Sequence, residues 1–256
     1  MQGRYLHDFA TVKRYGVSGL EKLVYFKTPV PQEGEYHPPR EGSDDAVKLD
    51  NNITRARTAV REIALCNEWQ LFGTFTISPE RYNRYDLGKF RSDFSQFLRD
   101  QRKKWGVKVQ YLIIPEQHQD GAWHAHGLLS GLSVPMLRQF SAAEEIPEKM
   151  REKIQCGEQL FDWPDYRRKF GWVSFSAIRD PEKCASYVTK YISKDMRARS
   201  RELGAHLYYA SQGLKRAETV YKGGVYLPEV QFDFENEYVK VITNRNPEYQ
   251  KIVFLD

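Results

Sequence analysis

Two histidines stand one residue apart in the stretch Gly121-Ala-Trp-His-Ala-His-Gly-Leu-Leu-Ser130. In an extended strand, residues i and i+2 project from the same face. His124 and His126 therefore share a face, while Trp123, Ala125 and Leu129 turn to the other. Two imidazoles held close together on a rigid sheet suit a divalent metal ion. The plainer reading is a pair of hydrogen-bonded histidines on a polar face. A metal needs a third ligand, and the preceding strand offers two, Glu116 and His118. Directly opposed residues of an antiparallel hairpin share a face. A loop with an odd number of residues, such as Asp120-Gly-Ala122, sets His118 opposite His124 and Glu116 opposite His126. The two-residue loop Asp120-Gly121 turns both candidates away. A carboxylate ligand favours Mg²⁺ or Mn²⁺ acting on phosphate over structural zinc.

The second group is Ala185-Ser-Tyr-Val-Thr-Lys-Tyr-Ile-Ser-Lys194. At 100° per residue, Ala185, Val188, Ile192 and Met196 form one apolar face of a helix. Tyr187, Lys190, Tyr191 and Lys194 gather on nearly the opposite side. Tyrosines used only for packing belong on the apolar face, whereas these stand on a separate ridge between lysines. A phenol with a pKa near 10 is a poor nucleophile at neutral pH, and neighbouring cations favour the phenolate. A tyrosine that attacks a phosphodiester becomes a covalent phosphotyrosine, which preserves the bond for later rejoining. Two tyrosines one turn apart allow two such transfers in succession.

The elements that must hold these residues are legible in outline. Leu71 to Ile77 alternates, with Leu71, Phe75 and Ile77 on one face and Thr74 and Thr76 on the other, as in a half-buried strand. Phe90, Phe94, Phe97, Leu98 and Trp105 make a helical stripe stopped by Gly106. Strands are expected at 107–114, 123–129 and 171–178. A helix is expected from about Asn51, with Ile53, Ala56, Val60, Ile63 and Ala64 on its apolar side. Another, opened by Asp180-Pro181-Glu182, is expected to run to about Arg199. Residues 29–50 read as a linker, 134–160 as mainly helical, and the last 50 as short strands and turns. Strands and helices with a hairpin between them indicate an α/β (α+β) chain with a central antiparallel sheet and flanking helices, not a doubly wound parallel one.

The totals are compatible with this reading. The chain has 256 residues, 41% hydrophobic and 29% charged, with a net charge of +5. That mild excess leans towards polyanionic partners. The three cysteines, Cys66, Cys156 and Cys184, are odd in number and widely spaced, as expected for unpaired thiols in a reducing compartment. No apolar run approaches the roughly 18 residues that span a bilayer, and the N-terminal residues do not read as a secretory signal. The phosphate-binding pattern GxxxxGK[ST] is missing, which argues against a P-loop ATPase.

In this order, the motifs resemble those of the HUH endonucleases, and more narrowly the rolling-circle replication initiators of small phages and plasmids. Phe72-Gly-Thr-Phe-Thr76 resembles the family's first motif. Trp123-His-Ala-His-Gly-Leu-Leu129 resembles its metal-binding motif. Tyr187 to Lys194 resembles its nucleophile motif, with two tyrosines, and Glu116 stands where many members carry an acidic ligand. The resemblance covers about residues 51–200 and implies an RRM-like (palm-like) sheet. It implies a metal site of His124, His126 and Glu116 with Mg²⁺ or Mn²⁺, and catalysis by Tyr187, Tyr191 and Lys190. It further implies nicking of single-stranded origin DNA, with the enzyme kept on the 5′-phosphate. A host helicase and polymerase would be partners, in the cytoplasm of a bacterial host. Lys194, Arg197, Lys215 and Arg216 are candidate phosphate contacts. The expected division is an N-terminal extension and linker at 1–50, a nicking domain at 51–205, and strands at 206–256 packing on the same domain. An HUH transposase or relaxase is the rival within the superfamily, although relaxases often place the tyrosines first. A noncatalytic single-stranded DNA-binding protein is the rival from another class.

Overall fold

The alternating residues of Leu71–Thr76 do form a strand, and its burial alternates with its sequence. The computed structural model describes residues 5–31, 45–192 and 207–255. In chain order the strands and helices begin with β1 (Tyr5–Leu6), β2 (Phe9–Tyr15), β3 (Leu20–Phe26), β4 (Val30–Pro31), α1 (Asp45–Cys66), β5 (Leu71–Thr76) and α2 (Leu87–Trp105). They continue with β6 (Gln110–Gln117), β7 (Trp123–Ser130), β8 (Arg138–Gln139), α3 (Glu148–Gln155), β9 (Leu160–Asp162), α4 (Pro164–Lys169), β10 (Val173–Ala177) and α5 (Pro181–Lys190). The last are β11 (Tyr209–Ala210), β12 (Glu218–Tyr226), β13 (Phe234–Glu235), β14 (Val239–Thr243) and β15 (Val253–Phe254). The chain divides into two units, one of residues 48–214 and one made from both chain ends. No described helix is long and apolar enough to cross a membrane.

The central unit is built on a seven-stranded antiparallel sheet in the order β11-β6-β7-β5-β10-β9-β8. This is the mixed α/β class with a central antiparallel sheet that the sequence implied. One face buries Leu71, Phe75, Ala125, Leu129, Val173 and Phe175. The stripe Phe90, Phe94 and Phe97 of α2 packs into the same core with Trp163, Tyr166 and Phe170. Removing each such ring from water contributes about 1.5–3 kcal/mol. α2 is bounded by its own sequence: the Asp86 carboxylate accepts from the Lys89 N–H at its start, and Gly106 ends it in the left-handed region at φ 68°. Gly73 and Gly127 face each other across β5 and β7. A Cβ would lie 2.6 Å from the Phe175 ring at Gly73 and 2.7 Å from the Leu112 carbonyl at Gly127. Only glycine lets these neighbours approach so closely.

Three boundaries depart from the sequence reading. The first helix starts at Asp45 and not near Asn51, because a helix propagates cooperatively through two weak formers once nucleated on either side. The 134–160 region holds a 3₁₀ turn, one short helix, the edge strand β8 and the start of its neighbour β9, so it is less helical than expected. Those strands are only two and three residues long, too short to show a period. Finally, α5 ends at Lys190. The amides of Tyr191 and Ile192 bond three residues back, to Val188 and Thr189, and the Ile192 carbonyl accepts from Arg57 Nε at 2.6 Å. That carbonyl is taken up by a side chain of α1, and the stretch from 193 to the expected end near Arg199 lies outside the described residues.

The unit made from the chain ends has its own six-stranded antiparallel sheet, β13-β14-β3-β2-β12-β15. β2 and β3 form a hairpin from Phe9↔Phe26 to Tyr15↔Leu20, and β12 pairs along the other side of β2. Its core is Ala10, Val12, Leu23, Val225, Ile242 and Ile252. β1 and β4 form a separate two-stranded ladder.

Candidate active site

β6 and β7 are joined by a loop of five residues, His118–Ala122, closed by the His118 N–H donating to the Ala122 carbonyl at 2.8 Å. Gly121 takes the left-handed position at φ 86°. The loop is odd, as the metal reading required, but two residues longer than the three-residue example. Consequently Glu116 lies opposite His124, and His126 is opposite Ile114. On the other side of β7, Thr76 faces His124 and Thr74 faces His126. Glu116, both histidines and both threonines thus share one face of three adjacent strands.

Glu116 Oε2 lies 2.9 Å from His124 Nε2 and 3.2 Å from His126 Nε2. These three residues form the one group of potential metal donors found among the described residues. His118 is not a member; its ring stacks on His124 at 4.0 Å. Burial pulls the His126 pKa down to about 3, with repulsion from His124 and His118 adding to the effect. His124 is lowered by burial and by His118, against an upward pull from Glu116. Neutral imidazoles make these contacts something other than ion pairs near neutral pH. They also leave a ring nitrogen free to bind a cation.

The donor set fits a small divalent ion. Ligands about 2.1 Å from a Mg²⁺-like centre, on adjacent octahedral positions, are about 3 Å apart, close to the spacing of Glu116 and the two histidines. Thr74 Oγ1 sits 3.3 Å from His126 Nδ1. When Nδ1–H donates to Thr74, the Nε2 lone pair faces the carboxylate, an arrangement that a cation between them stabilises. Thr74→Val, which keeps the shape and removes the hydroxyl, should weaken Mn²⁺ binding measured by calorimetry by roughly tenfold. Thr74→Ser should restore it. Equal Mn²⁺ affinity in the valine variant would show that the hydroxyl does not position His126.

α5 carries the tyrosine ridge to this face. Ala185, Val188 and Ile192 are buried, and Tyr187 is 47% exposed, as the helical wheel implied. The Tyr191 ring stacks on His126 with centroids 3.7 Å apart and 14° between the planes. Tyr187 meets Tyr191 edge-on at 5.4 Å and Phe72 at 5.3 Å. Burial above all, then a hydrogen bond with Tyr187, holds the Tyr191 pKa well above that of a free phenol. Lys190 Nζ lies 5.7 Å from the Tyr187 ring centroid. Lys194 and Arg197, expected as phosphate contacts, lie outside the described residues, as does Met196. Lys215 and Arg216 belong to the unit made from the chain ends, just before β12.

The structure therefore brings together Glu116, His124, His126, Tyr187, Lys190 and Tyr191. It adds residues that the sequence reading did not name as site residues. Thr74 was read only as the polar face of a strand, and its partner depends on the β5–β7 register. Phe72 lies on the same face, with its ring stacked parallel to His126 at 6.1 Å. Arg57 and Arg61 of α1 fasten α5, the latter through Arg61 Nη1 to Ser186 Oγ at 3.4 Å.

Residues 70–196 match the family model of the replication-associated protein ORF2. This segment belongs to that replication-associated family. The replication-associated segment covers about half of the chain. It starts just before β5 and includes the carboxylate, both histidines and both tyrosines. Strands β2, β3 and β12 of the other sheet lie outside it. No curated protein and no solved structure matches the chain.

Proposed function

We propose that the chain is a replication initiator of the HUH type, a metal-dependent endonuclease and strand transferase acting on a single-stranded origin. The observation that carries this reading is the stack of Tyr191 on His126, which sets a ridge of two tyrosines against a Glu/His/His cluster. The replication-associated family of residues 70–196 supports it. Glu116, His124 and His126 would hold a Mg²⁺ or Mn²⁺ ion, which would supply Lewis-acid polarisation of the phosphate. Tyr187 is the exposed phenol of the pair and has Lys190 beside it, so it is the first nucleophile. Its oxygen attacks phosphorus and loses its proton. The P–O3′ bond breaks, and the departing 3′ oxygen takes up a proton, leaving a 3′-OH primer and a 5′-phosphotyrosine. Lys190 stabilises the developing phenolate, and Tyr191, hydrogen-bonded to Tyr187, helps to hold the same oxygen. In a second transfer Tyr191 attacks the regenerated origin, and the first 5′-end passes back to a free 3′-OH.

On this reading the nicking chemistry belongs to residues 51–205. Lys194, Arg197, Lys215 and Arg216 contact phosphates, and a host helicase and polymerase act in the same bacterial cytoplasm. The test is incubation with a panel of single-stranded origin hairpins and Mn²⁺. An adduct that survives SDS, mapped to Tyr187 or Tyr191, is the expected result. A folded, Mn²⁺-binding protein that yields no adduct with any member would overturn the proposal.

A further inference from the structure

A groove of about 780 Å³ opens beside Tyr187, within the range of about 300–1,000 Å³ typical of ligand sites. Of its lining residues, Phe72 stacks on His126 and Tyr187 meets Tyr191, so these two mark the end nearest the site, while His124, His126 and Tyr191 are not among its walls. It therefore starts at the tyrosine and leads away from the metal-ligating cluster. Its sides carry Arg61, Lys153, Arg179, Lys183 and Lys190. Two carboxylates also line it, Asp180 and Glu182. Asp180 is engaged by the first turn of α5, accepting the Lys183 N–H at 3.0 Å. Cations thus exceed acids by three along this wall. A second groove of about 540 Å³ shares Ser176, Ala177 and Arg179 with the first and continues to Gly157, Glu158 and Gln159. Glu158 lies 3.9 Å from Lys153, so cations exceed acids by two over both grooves together. Arg179 stands where the two meet and is exposed.

We infer that this trough holds the DNA strand that remains joined to Tyr187 between the two transfers, the nucleotides on the 3′ side of the nick. The inference rests on the nicking reading and deepens it. Three features select a single strand. The aromatic pair at the head offers faces for unstacked bases, the cations along the walls suit a phosphate backbone without reading sequence, and the head of the trough is the nucleophile itself. The strand whose 5′-phosphate is bonded to Tyr187 has to leave from that point. The same wall keeps its end near Tyr187 while the 3′-OH end released by the nick is extended. None of Arg61, Lys153, Arg179 or Lys183 stood out in the sequence, because they come from α1, α3, the loop after β10 and α5.

The test crosses substrate length with groove charge. One oligonucleotide extends several nucleotides 3′ of the nick, and a second stops one nucleotide after it. Native protein should bind the long one about tenfold more tightly by fluorescence anisotropy, and form adduct correspondingly faster at subsaturating DNA. Arg179→Glu with Lys183→Glu should lose that advantage while binding the short oligonucleotide as the native protein does. Arg179→Lys, which keeps the charge, should retain it. Unchanged thermal melting establishes that the variants are folded. Three results would overturn the inference: no length dependence in the native protein, equal losses on both lengths, or preference for a duplex extension. A native protein that binds the long strand more tightly through Arg179 and Lys183 yet forms no adduct would preserve the groove and reject the nicking chemistry.

Discussion

Tyr187→Phe is expected to remove most initial nicking, and Tyr187→Phe with Tyr191→Phe to leave no covalent adduct. Phenylalanine keeps the ring, so the edge contacts with Phe72 and between residues 187 and 191 persist, and melting should shift by no more than about 1 kcal/mol. What disappears is the attacking oxygen. Tyr191→Phe should still nick. It loses the hydrogen bond to Tyr187, and one such bond is worth about 0.5–1.5 kcal/mol net, so its first nick should slow by about two- to tenfold. It should then terminate poorly, accumulating linear multimers in place of released circles. Mass spectrometry of the adduct peptide checks the assignment. An adduct in the double variant, carried by another tyrosine such as Tyr82 or Tyr208, would displace the nucleophile from α5. Full cycles at equal rates in both single variants would make the two phenols interchangeable and remove only their order.

His126→Ala should lower the nicking rate by about 10³-fold or more, an activation penalty of roughly 4 kcal/mol. His126 is 8% exposed, contacts Thr74 and Glu116, and supports the Tyr191 ring. On the proposed reading its loss removes a ligand and the floor under a nucleophile together, so it should cost more than His124→Ala. Glu116→Gln keeps the size and one oxygen while removing the charge. It should weaken Mn²⁺ binding while leaving the Tyr191 stack in place, and high Mn²⁺ should recover part of its activity. Extra Mn²⁺ should restore little to His126→Ala. Calorimetric Mn²⁺ titration beside single-turnover nicking separates the two effects. Native nicking rates in all three variants would mean that the cluster is only a hydrogen-bonded patch.

Much of the candidate site was legible because alternation and helical periodicity are local properties. The i,i+2 spacing of His124 and His126 requires one shared face wherever the strand goes. The Phe90, Phe94 and Phe97 stripe and Gly106 define α2 without reference to the rest of the chain. The wheel of α5 separates Ala185, Val188 and Ile192 from Tyr187 because helical rotation is the same in any context. The end of α5 was less legible, since it depends on Arg57 reaching the Ile192 carbonyl from a helix 135 positions earlier. β8 and β9 were missed because strands of two and three residues carry no readable period.

By itself the sequence determined which residues share a face, which helix carries the tyrosines, and that the Glu116 carboxylate or a third histidine, His118, joins the two histidines if the loop is odd. Tertiary structure decided the rest. The five-residue loop chose the register that sets Glu116 opposite His124, because turn geometry selects among pairings that alternation leaves equivalent. Packing of α5 on the sheet placed Tyr191 over His126, a contact between residues far apart in the chain. The β5–β7 ladder supplied Thr74 to His126. The pairing of β2 with β12, which sets Arg14 opposite Glu218, joins segments some two hundred residues apart and has no local signature. Faces follow from the repeat of a single element. Sites, registers and grooves follow from which elements meet, and that is settled only when distant apolar surfaces are buried together.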